Sequence, residues 1–222
     1  MSYFSNDFLV FFNELENNNN RDWFNKNKKR YEKSVKEPFH DFIQDMIFRI
    51  HENDETIMIT PKEAIFRIYR DIRFSKDKTP YKTYTSAVIS PGGRKDYTNP
   101  GIYLEFSANY LRFYGGIYGM TKDQLQGVRN LIASNLDEFN SLINDKLFKR
   151  TFGEILGEKN KRLPTEFKEV VKQQPLIANK QFYYYKEMDP KNLLRKDLSE
   201  RLMKYYFVAQ PLSKFLKEGL RV

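Results

Sequence analysis

The sequence has no cysteine among its 222 residues. Disulfide bonds, thiolate catalysis and zinc–cysteine sites are therefore excluded. Histidine occurs twice, at His40 and His51, which is too few for a histidine-rich metal centre. No glycine-rich stretch has the spacing of a P-loop or of a dinucleotide-binding motif, and no serine lies in a nucleophile elbow. We therefore predict no metal site, and the sequence assigns no cofactor.

Long apolar runs are missing as well. The first residues contain neither a basic region nor an apolar core, so we expect no signal peptide. No run approaches the roughly 20 apolar residues that span a bilayer. We therefore expect a cytoplasmic protein without a membrane partner.

Aromatic residues, in contrast, are abundant, with 19 Phe and 15 Tyr. Because 40% of the residues are hydrophobic, the chain can bury a large core, and disorder is not expected despite a charged fraction of 30%. The formal net charge is +9. Such basicity can accompany nucleic-acid binding, but Lys and Asn scattered along the chain are also typical of a solvated surface. Nucleic acid is therefore a less favoured partner.

Helical periodicity dominates both ends of the chain. Phe8, Phe11, Phe12 and Leu15 recur on one helical face, and Asn20 is placed to cap a second helix. Alternating and β-rich patterns predict about five strands, at residues 64–74, 83–90, 102–107, 111–118 and 180–186. We expect one α+β domain over residues 1–222, an antiparallel sheet of about five strands flanked by N-terminal and C-terminal helices.

Three local signals refine this prediction. Thr121 and Gln124 have the spacing of a capping box, which begins a helix. Gly115 and Gly116 inside a strand indicate a bulge or a close approach of another backbone. Pro211 is expected to separate the last helix from a final turn.

Residues 67–82 concentrate positive charge, with six cationic residues against two acidic ones and a net charge of +4. These residues are Arg67, Arg70, Arg73, Lys76, Lys78 and Lys82, against Asp71 and Asp77. Alternation along the predicted strand places Arg67, Asp71 and Arg73 on one face and Arg70 on the other. Because arginine pairs bidentately with carboxylate or phosphate, this segment is the candidate site.

Two interpretations of the arginines stay open. In the first, Asp71 orients Arg67 and Arg73 so that their remaining donors converge on an anion. In the second, the same three residues form a structural ion-pair network. Arg70 shares the apolar face of the strand, so we expect it to have a partner.

The loop after the predicted strand favours the first interpretation, because binding groups often lie on loops that a sheet positions. Lys78 and Lys82 would close over a ligand, and Tyr81 would donate a hydrogen bond to it. Asp77 either contributes to the site or forms a turn with its own backbone.

The segment resembles a bacterial family, domain of unknown function 2461. Its signature is Arg, two residues, Arg-Asp, one residue, Arg-Phe, two residues, Asp or Asn, Lys, two residues, Tyr. The positions are filled here by Arg67, Arg70, Asp71, Arg73, Phe74, Asp77, Lys78 and Tyr81. Further similarity at residues 20–24 and 115–116 implies that the resemblance covers nearly the full chain. It implies no activity, because the function of the family is itself unassigned.

A second group of polar residues lies in the predicted central hairpin. Glu105 should share a face with Tyr103, and Arg112 and Tyr114 occupy the matching face of the next strand. A cross-strand ion pair between Glu105 and Arg112 is the favoured interpretation. In the alternative, Glu105 and Asp71 hold a divalent cation or act as acid and base.

The sequence thus predicts a binding site for a small anionic ligand that carries a phosphate or carboxylate group. Its residues are Arg67, Arg70, Asp71, Arg73, Asp77, Lys78, Tyr81 and Lys82, with Tyr103, Glu105, Arg112 and Tyr114 as a second group. If the ligand reacts, phosphoryl or nucleotide chemistry fits the charge best, but the sequence does not decide whether the protein is an enzyme.

Two other functions remain open. One is a non-catalytic nucleic-acid-binding module, in which strand tyrosines stack on bases instead of serving as ordinary packing. The other is a structural or partner-binding protein, in which the arginine cluster is a folding element.

Overall fold

The computed structural model describes residues 2–221. It contains one antiparallel sheet of four strands in the order β1-β2-β3-β4, together with flanking helices. The strands are β1 (Tyr84–Ile89), β2 (Gly101–Ser107), β3 (Leu111–Ile117) and β4 (Phe182–Met188). The predicted α+β class and single-domain architecture are confirmed, with four strands where about five were predicted.

The α-helices precede β1, separate β3 from β4 and end the chain. They are α1 (Asn6–Asn17), α2 (Arg21–Lys26), α3 (Lys28–Tyr31), α4 (Glu37–His51), α5 (Pro61–Ala64), α6 (Lys122–Ser134), α7 (Leu136–Asn144), α8 (Lys146–Phe152), α9 (Val170–Gln173) and α10 (Leu198–Glu218). A π-helical turn at Glu32–Lys36 joins α3 to α4. No helix within residues 2–221 is both long enough and apolar enough to cross a membrane.

The residues of the domain cluster into two compact units. The first unit comprises Met1–Arg94, Tyr103–Phe113 and Glu187–Met203. The second unit comprises Lys95–Ile102, Tyr114–Lys186 and Lys204–Val222. Each unit is therefore built from three separate stretches of the chain.

The first unit has an aromatic core. The predicted apolar face of α1 is buried, and Asn20 caps α2 by accepting a hydrogen bond of 2.9 Å from the Trp23 backbone N–H. Three phenylalanine rings lie within 5.7 Å of the Phe106 ring in edge-on or tilted contacts: Phe4, Phe39 and Phe42. This core supports β1 and the segment that leads into it.

The second unit is packed around Tyr184. Its buried ring lies edge-on to Phe148, with the centroids 4.9 Å apart. A Cβ atom at Gly115 would lie 2.6 Å from the Tyr184 ring, and one at Gly116 would collide with the Phe182 carbonyl, so the predicted close approach of another backbone is confirmed at Gly116. Thr121 and Gln124 form the predicted capping box at the start of α6.

The predicted strand at residues 64–74 is wrong. This segment makes isolated antiparallel bridges, Ile65 with Ala87 and Tyr69 with Tyr81. Four residue steps separate the bridges on the outgoing side and six on the returning side, so the two sides fall out of register. Pro80 adds to the effect, because it has no N–H to donate to the ladder.

The predicted break at Pro211 is also wrong, because α10 continues through this residue. Proline removes one backbone hydrogen bond from a helix and does not always end it. The buried side chains of Leu212, Phe215 and Leu216 follow the proline and hold the next turns in place. Packing therefore outweighs the local preference of the chain.

Candidate functional site

The basic segment forms an irregular hairpin in the first unit. The Arg70 N–H donates to the Pro80 carbonyl at 2.9 Å, and the Lys82 N–H donates to the Ile68 carbonyl at 2.8 Å. The loop between the two sides carries most of the charged residues. The predicted alternation holds up to Arg73, since Arg67, Asp71 and Arg73 are exposed whereas Ile68 is buried and Arg70 is half-buried, but it fails at Phe74, which is 95% exposed.

Arg70 forms hydrogen bonds that hold this loop together. Its guanidinium donates to the Asp77 carboxylate, to the Thr79 hydroxyl and, at 3.2 Å, to the Thr79 carbonyl. The Thr79 N–H donates to Asp77 at 2.9 Å, which is the predicted turn. The hydrogen bond from this N–H is the largest cause that lowers the pKa of Asp77 from 3.8 to about 2, and the hydrogen bond from Arg70 is the second largest. Arg70 thus has the partner that its position requires.

Arg73 and Asp71 form a bidentate pair on the exposed side of the loop. Arg73 donates to Asp71 at 2.9 and 2.6 Å, and these bonds lower the pKa of Asp71 from 3.8 to about 2. The Arg73 side chain is 76% exposed. Arg67 influences Asp71 electrostatically but makes no hydrogen bond to it within the described part of the chain. Asp71 therefore orients one guanidinium, where the first interpretation expected two.

Lys78 and Tyr81 are also occupied by neighbouring groups. The Lys78 ammonium donates to the Ile72 carbonyl at 3.0 Å. The Tyr81 ring is buried and stacks on Phe24 with a centroid distance of 4.0 Å. Asn19 binds both main-chain groups of Tyr81, at 2.9 and 3.1 Å. These contacts anchor the returning side of the hairpin to the N-terminal helices.

Lys82 differs from the other cations of the segment. Its ammonium lies half-buried, 5.2 Å from the Phe66 ring centroid and 5.7 Å from the Tyr84 ring centroid. It makes no ion pair or side-chain hydrogen bond with any residue in 2–221. Burial lowers the pKa of Lys82, and the charge of Arg67 lowers it further, while Glu105 opposes both effects.

A pocket of about 500 Å³ opens beside Lys82. Its charged lining consists of Arg70, Asp71, Asp77 and Lys82, and Tyr84 contributes an aromatic wall. Both carboxylates are already engaged by donors of the loop. A second pocket of about 350 Å³ lies on another side of Arg70 and is lined also by Arg21 and Tyr69. Arg70 is therefore common to two concave surfaces of the first unit.

In the second predicted group, Tyr103 and Arg112 lie beside the buried carboxylate of Glu105. Glu105 is 8% exposed and accepts a hydrogen bond of 2.8 Å from the Tyr103 hydroxyl. Arg112 lies 3.4 Å from Glu105 and donates to Glu187 at 2.7 Å, while its guanidinium lies 3.7 Å from the Tyr110 ring centroid. The predicted cross-strand pair of Glu105 and Arg112 is thus present.

Two other parts of the sequence prediction concern Tyr114 and a pairing of Glu105 with Asp71. Tyr114 belongs to the second unit, where its ring stacks on Tyr185 at 5.2 Å. Glu105 and Asp71 do not belong to any cluster of three or more potential metal ligands among residues 2–221.

Sequence reasoning missed several contributors to the site. Phe66 and Tyr84 hold the Lys82 ammonium, Thr79 binds Arg70, and Asn19 binds the Tyr81 backbone. The threonine has a sequence signal, because it follows an aspartate by two residues in a polar loop. The asparagine, which lies 62 residues from Tyr81, has none.

The family model described as "Conserved hypothetical protein (DUF2461)" matches residues 7–215 of the chain. The matched region includes the hairpin, its pocket and the Glu105 group. The description names no activity. No curated protein and no solved structure matches the chain.

Proposed function

The chain belongs to the DUF2461 family, and we propose that it binds a small ligand bearing a phosphate or carboxylate group in the pocket beside Lys82. The observation that carries this proposal is the burial of the Lys82 ammonium without an anionic partner. It is half-buried in the pocket wall and lacks an anionic partner within hydrogen-bond distance among residues 2–221. A cation removed from water is unfavourable unless it is paired, so an anion from outside would complete the site.

The neighbouring cations support the choice of Lys82. Arg70, Arg73 and Lys78 each donate to an oxygen of the hairpin itself. Their interactions shape the loop, which is the structural role that one sequence interpretation gave them. Lys82 and the exposed Arg67 have no such bond, and each influences the other electrostatically. The positive potential of these two residues is therefore available to a ligand.

Arg70 would assist Lys82, because both side chains line the same pocket. A guanidinium has five N–H donors, and the hydrogen bonds of the Arg70 guanidinium to residues in 2–221 come from its two terminal nitrogens and not from Nε. The two carboxylates of the lining would not repel the ligand strongly, because each is neutralised by an arginine. Tyr84 would supply a flat apolar wall beside the charged group.

Isothermal titration calorimetry tests this proposal. The ligands are inorganic phosphate, a sugar phosphate, a nucleoside monophosphate and a small dicarboxylate, and the proteins are the wild type, Lys82→Met and Lys76→Met. Lys76 is an exposed cation of the same segment and serves as the matched control. We expect at least one ligand to bind the wild type and the control equally, and to bind Lys82→Met about tenfold more weakly or worse.

Two results would contradict the proposal. One is equal affinity of the wild type and Lys82→Met for every ligand that binds. The other is that none of the four ligands binds the wild type. This result would indicate that Lys82 instead pairs with an acidic surface of a protein partner.

A further inference from the structure

The outer face of the sheet in the second unit carries a row of tyrosines. Along β3 and the residue after it, half-buried Tyr114 and exposed Tyr118 alternate with buried Gly115 and Ile117. Along β4, Tyr183 and Tyr185 alternate in the same way with buried side chains. We call Tyr114, Tyr118, Tyr183 and Tyr185 the tyrosine stripe.

Contacts within the stripe join its members in pairs. Tyr114 stacks on Tyr185 with a centroid distance of 5.2 Å and an angle of 23° between the rings. Tyr118 and Tyr183 are 5.7 Å apart and tilted by 58°. The side chains remain accessible, since Tyr118 is 70% and Tyr185 39% exposed. The stripe is thus an ordered aromatic surface that solvent can reach.

Gly116 lies between Tyr114 and Tyr118 along the chain, where the backbone of β4 fills the space that a side chain would need. A Cβ atom there would lie 2.9 Å from the Tyr183 Cα atom and would collide with the Phe182 carbonyl. The two strands therefore approach closely at this point, between the Tyr114–Tyr185 pair and the Tyr118–Tyr183 pair.

The spacing of the stripe suits the bases of an extended single strand. Tyr183 and Tyr185 are alternate residues of β4, so roughly 6.6 Å separates them along the strand, whereas Tyr114 and Tyr118 are four residues apart. Sheets that expose aromatic rings at this spacing stack two or three unpaired bases, whatever their sequence, because every base has a flat face. Paired bases inside a duplex do not offer these faces.

The charge of the second unit fits the same ligand. This unit has 17 Lys and Arg against 10 Asp and Glu, a net charge of +7, whereas the first unit has 21 against 19, a net charge of +2. Most of the +9 of the chain therefore lies in the unit that carries the stripe. Positive charge attracts the phosphate backbone, while aromatic rings bind the bases.

We propose that the tyrosine stripe of the second unit binds single-stranded nucleic acid by stacking on its bases. This inference does not depend on the Lys82 pocket, which belongs to the first unit.

Fluorescence anisotropy with labelled oligomers tests the inference. The probes are a dT 12-mer, a U 12-mer and a 12-base-pair DNA duplex, at several salt concentrations. The variants are Tyr118→Ala/Tyr185→Ala and Tyr118→Phe/Tyr185→Phe, with Phe207→Ala as a control for an exposed aromatic of the same unit on α10. We expect single strands to bind more tightly than the duplex and less tightly as salt rises.

The variants separate stacking from charge. We expect the alanine pair to weaken single-strand binding at least fivefold, while the phenylalanine pair and Phe207→Ala stay within about twofold of the wild type. Equal binding of the alanine pair and the wild type would overturn the inference, as would equal affinity for duplex and single strand. Failure of the wild type to bind either single strand at low salt would overturn it too.

A second measurement keeps the test independent of how well the alanine pair folds. Photocrosslinking of the wild type with a 5-iodouracil oligomer, followed by mass spectrometry of the peptides, should label Tyr118 or Tyr185. Crosslinks confined to other peptides would overturn the inference.

Discussion

The Arg70 guanidinium donates to the Asp77 carboxylate and so ties the first side of the hairpin to the loop that follows it. Seven residues separate the two along the chain. The same guanidinium binds the hydroxyl and the carbonyl of Thr79, which leads into the returning side. One half-buried side chain therefore ties the first side of the hairpin to the loop and to the start of the returning side.

This relationship predicts that Arg70→Met loosens the loop. Phe74 lies in the loop and is 95% exposed, so chymotrypsin cleavage after it reports loop opening. We expect Arg70→Met to be cleaved faster than the wild type and to melt at a lower temperature. Arg73→Met, which removes an exposed pair, should match the wild type in melting temperature. Equal behaviour of the two variants would show that Arg70 does not hold the loop.

The carboxylates of the loop predict a pH dependence of stability. The pKa of Asp77 falls from 3.8 to about 2 on folding, because Thr79 and Arg70 favour its charged form. A lowered pKa stabilises the folded state above the unfolded pKa, and this contribution is lost as the pH falls through the folded pKa. The difference in melting temperature between the wild type and Asp77→Asn should therefore be largest above pH 4 and vanish towards pH 2. A difference that does not change with pH would contradict this.

Glu105 should matter more to stability than Glu187, although both bind Arg112. Glu105 is buried and also accepts from Tyr103, whereas half of the Glu187 side chain is exposed. We expect Glu105→Ala to lower the free energy of unfolding by about 2 kcal/mol, because buried donors lose their acceptor. Glu187→Ala should cost less than about 1 kcal/mol. Urea denaturation of both variants measures this, and the reverse order would contradict the central position of Glu105.

Two glycines with positive φ provide a matched pair for the second unit. Gly116 has φ +102° and no room for a Cβ atom, whereas Gly153 has φ +76° and no atom within 4 Å of that position. Alanine strains the backbone at both sites, by about 1 kcal/mol each. At Gly116 it must also displace the neighbouring strand, so we expect a total near 3 kcal/mol. Similar unfolding free energies for the two variants would show that the strands can separate there at little cost.

Elements with a local signal were predicted well. The apolar face of α1, the Asn20 cap and the capping box at Thr121 each depend on residues that follow one another at steps of at most four positions. The cross-strand pair of Glu105 and Arg112 follows from a short hairpin, in which alternation alone sets the facing residues.

Features that depend on distant residues could not be predicted. The segment at 64–74 alternates like a strand, but its partner side is two steps longer between the bridges, and no local pattern reveals that length. The continuation of α10 through Pro211 depends on buried contacts of the residues that follow it. Lys82 and Arg67 look like the other cations in the sequence, and only the structure shows that neither forms an ion pair with another residue in 2–221.

The account as a whole depends on the half-buried Lys82 ammonium being the group that an anionic ligand binds. Thermal denaturation of Lys82→Met tests this most directly. Without ligand, the variant should melt about 2 °C or more above the wild type at pH 7, because methionine packs against Phe66 and Tyr84 without placing a charge there. With the anion that calorimetry identifies, the wild type should gain stability and the variant should not. A variant that is less stable without ligand, yet is stabilised by the anion as strongly as the wild type, would contradict the account.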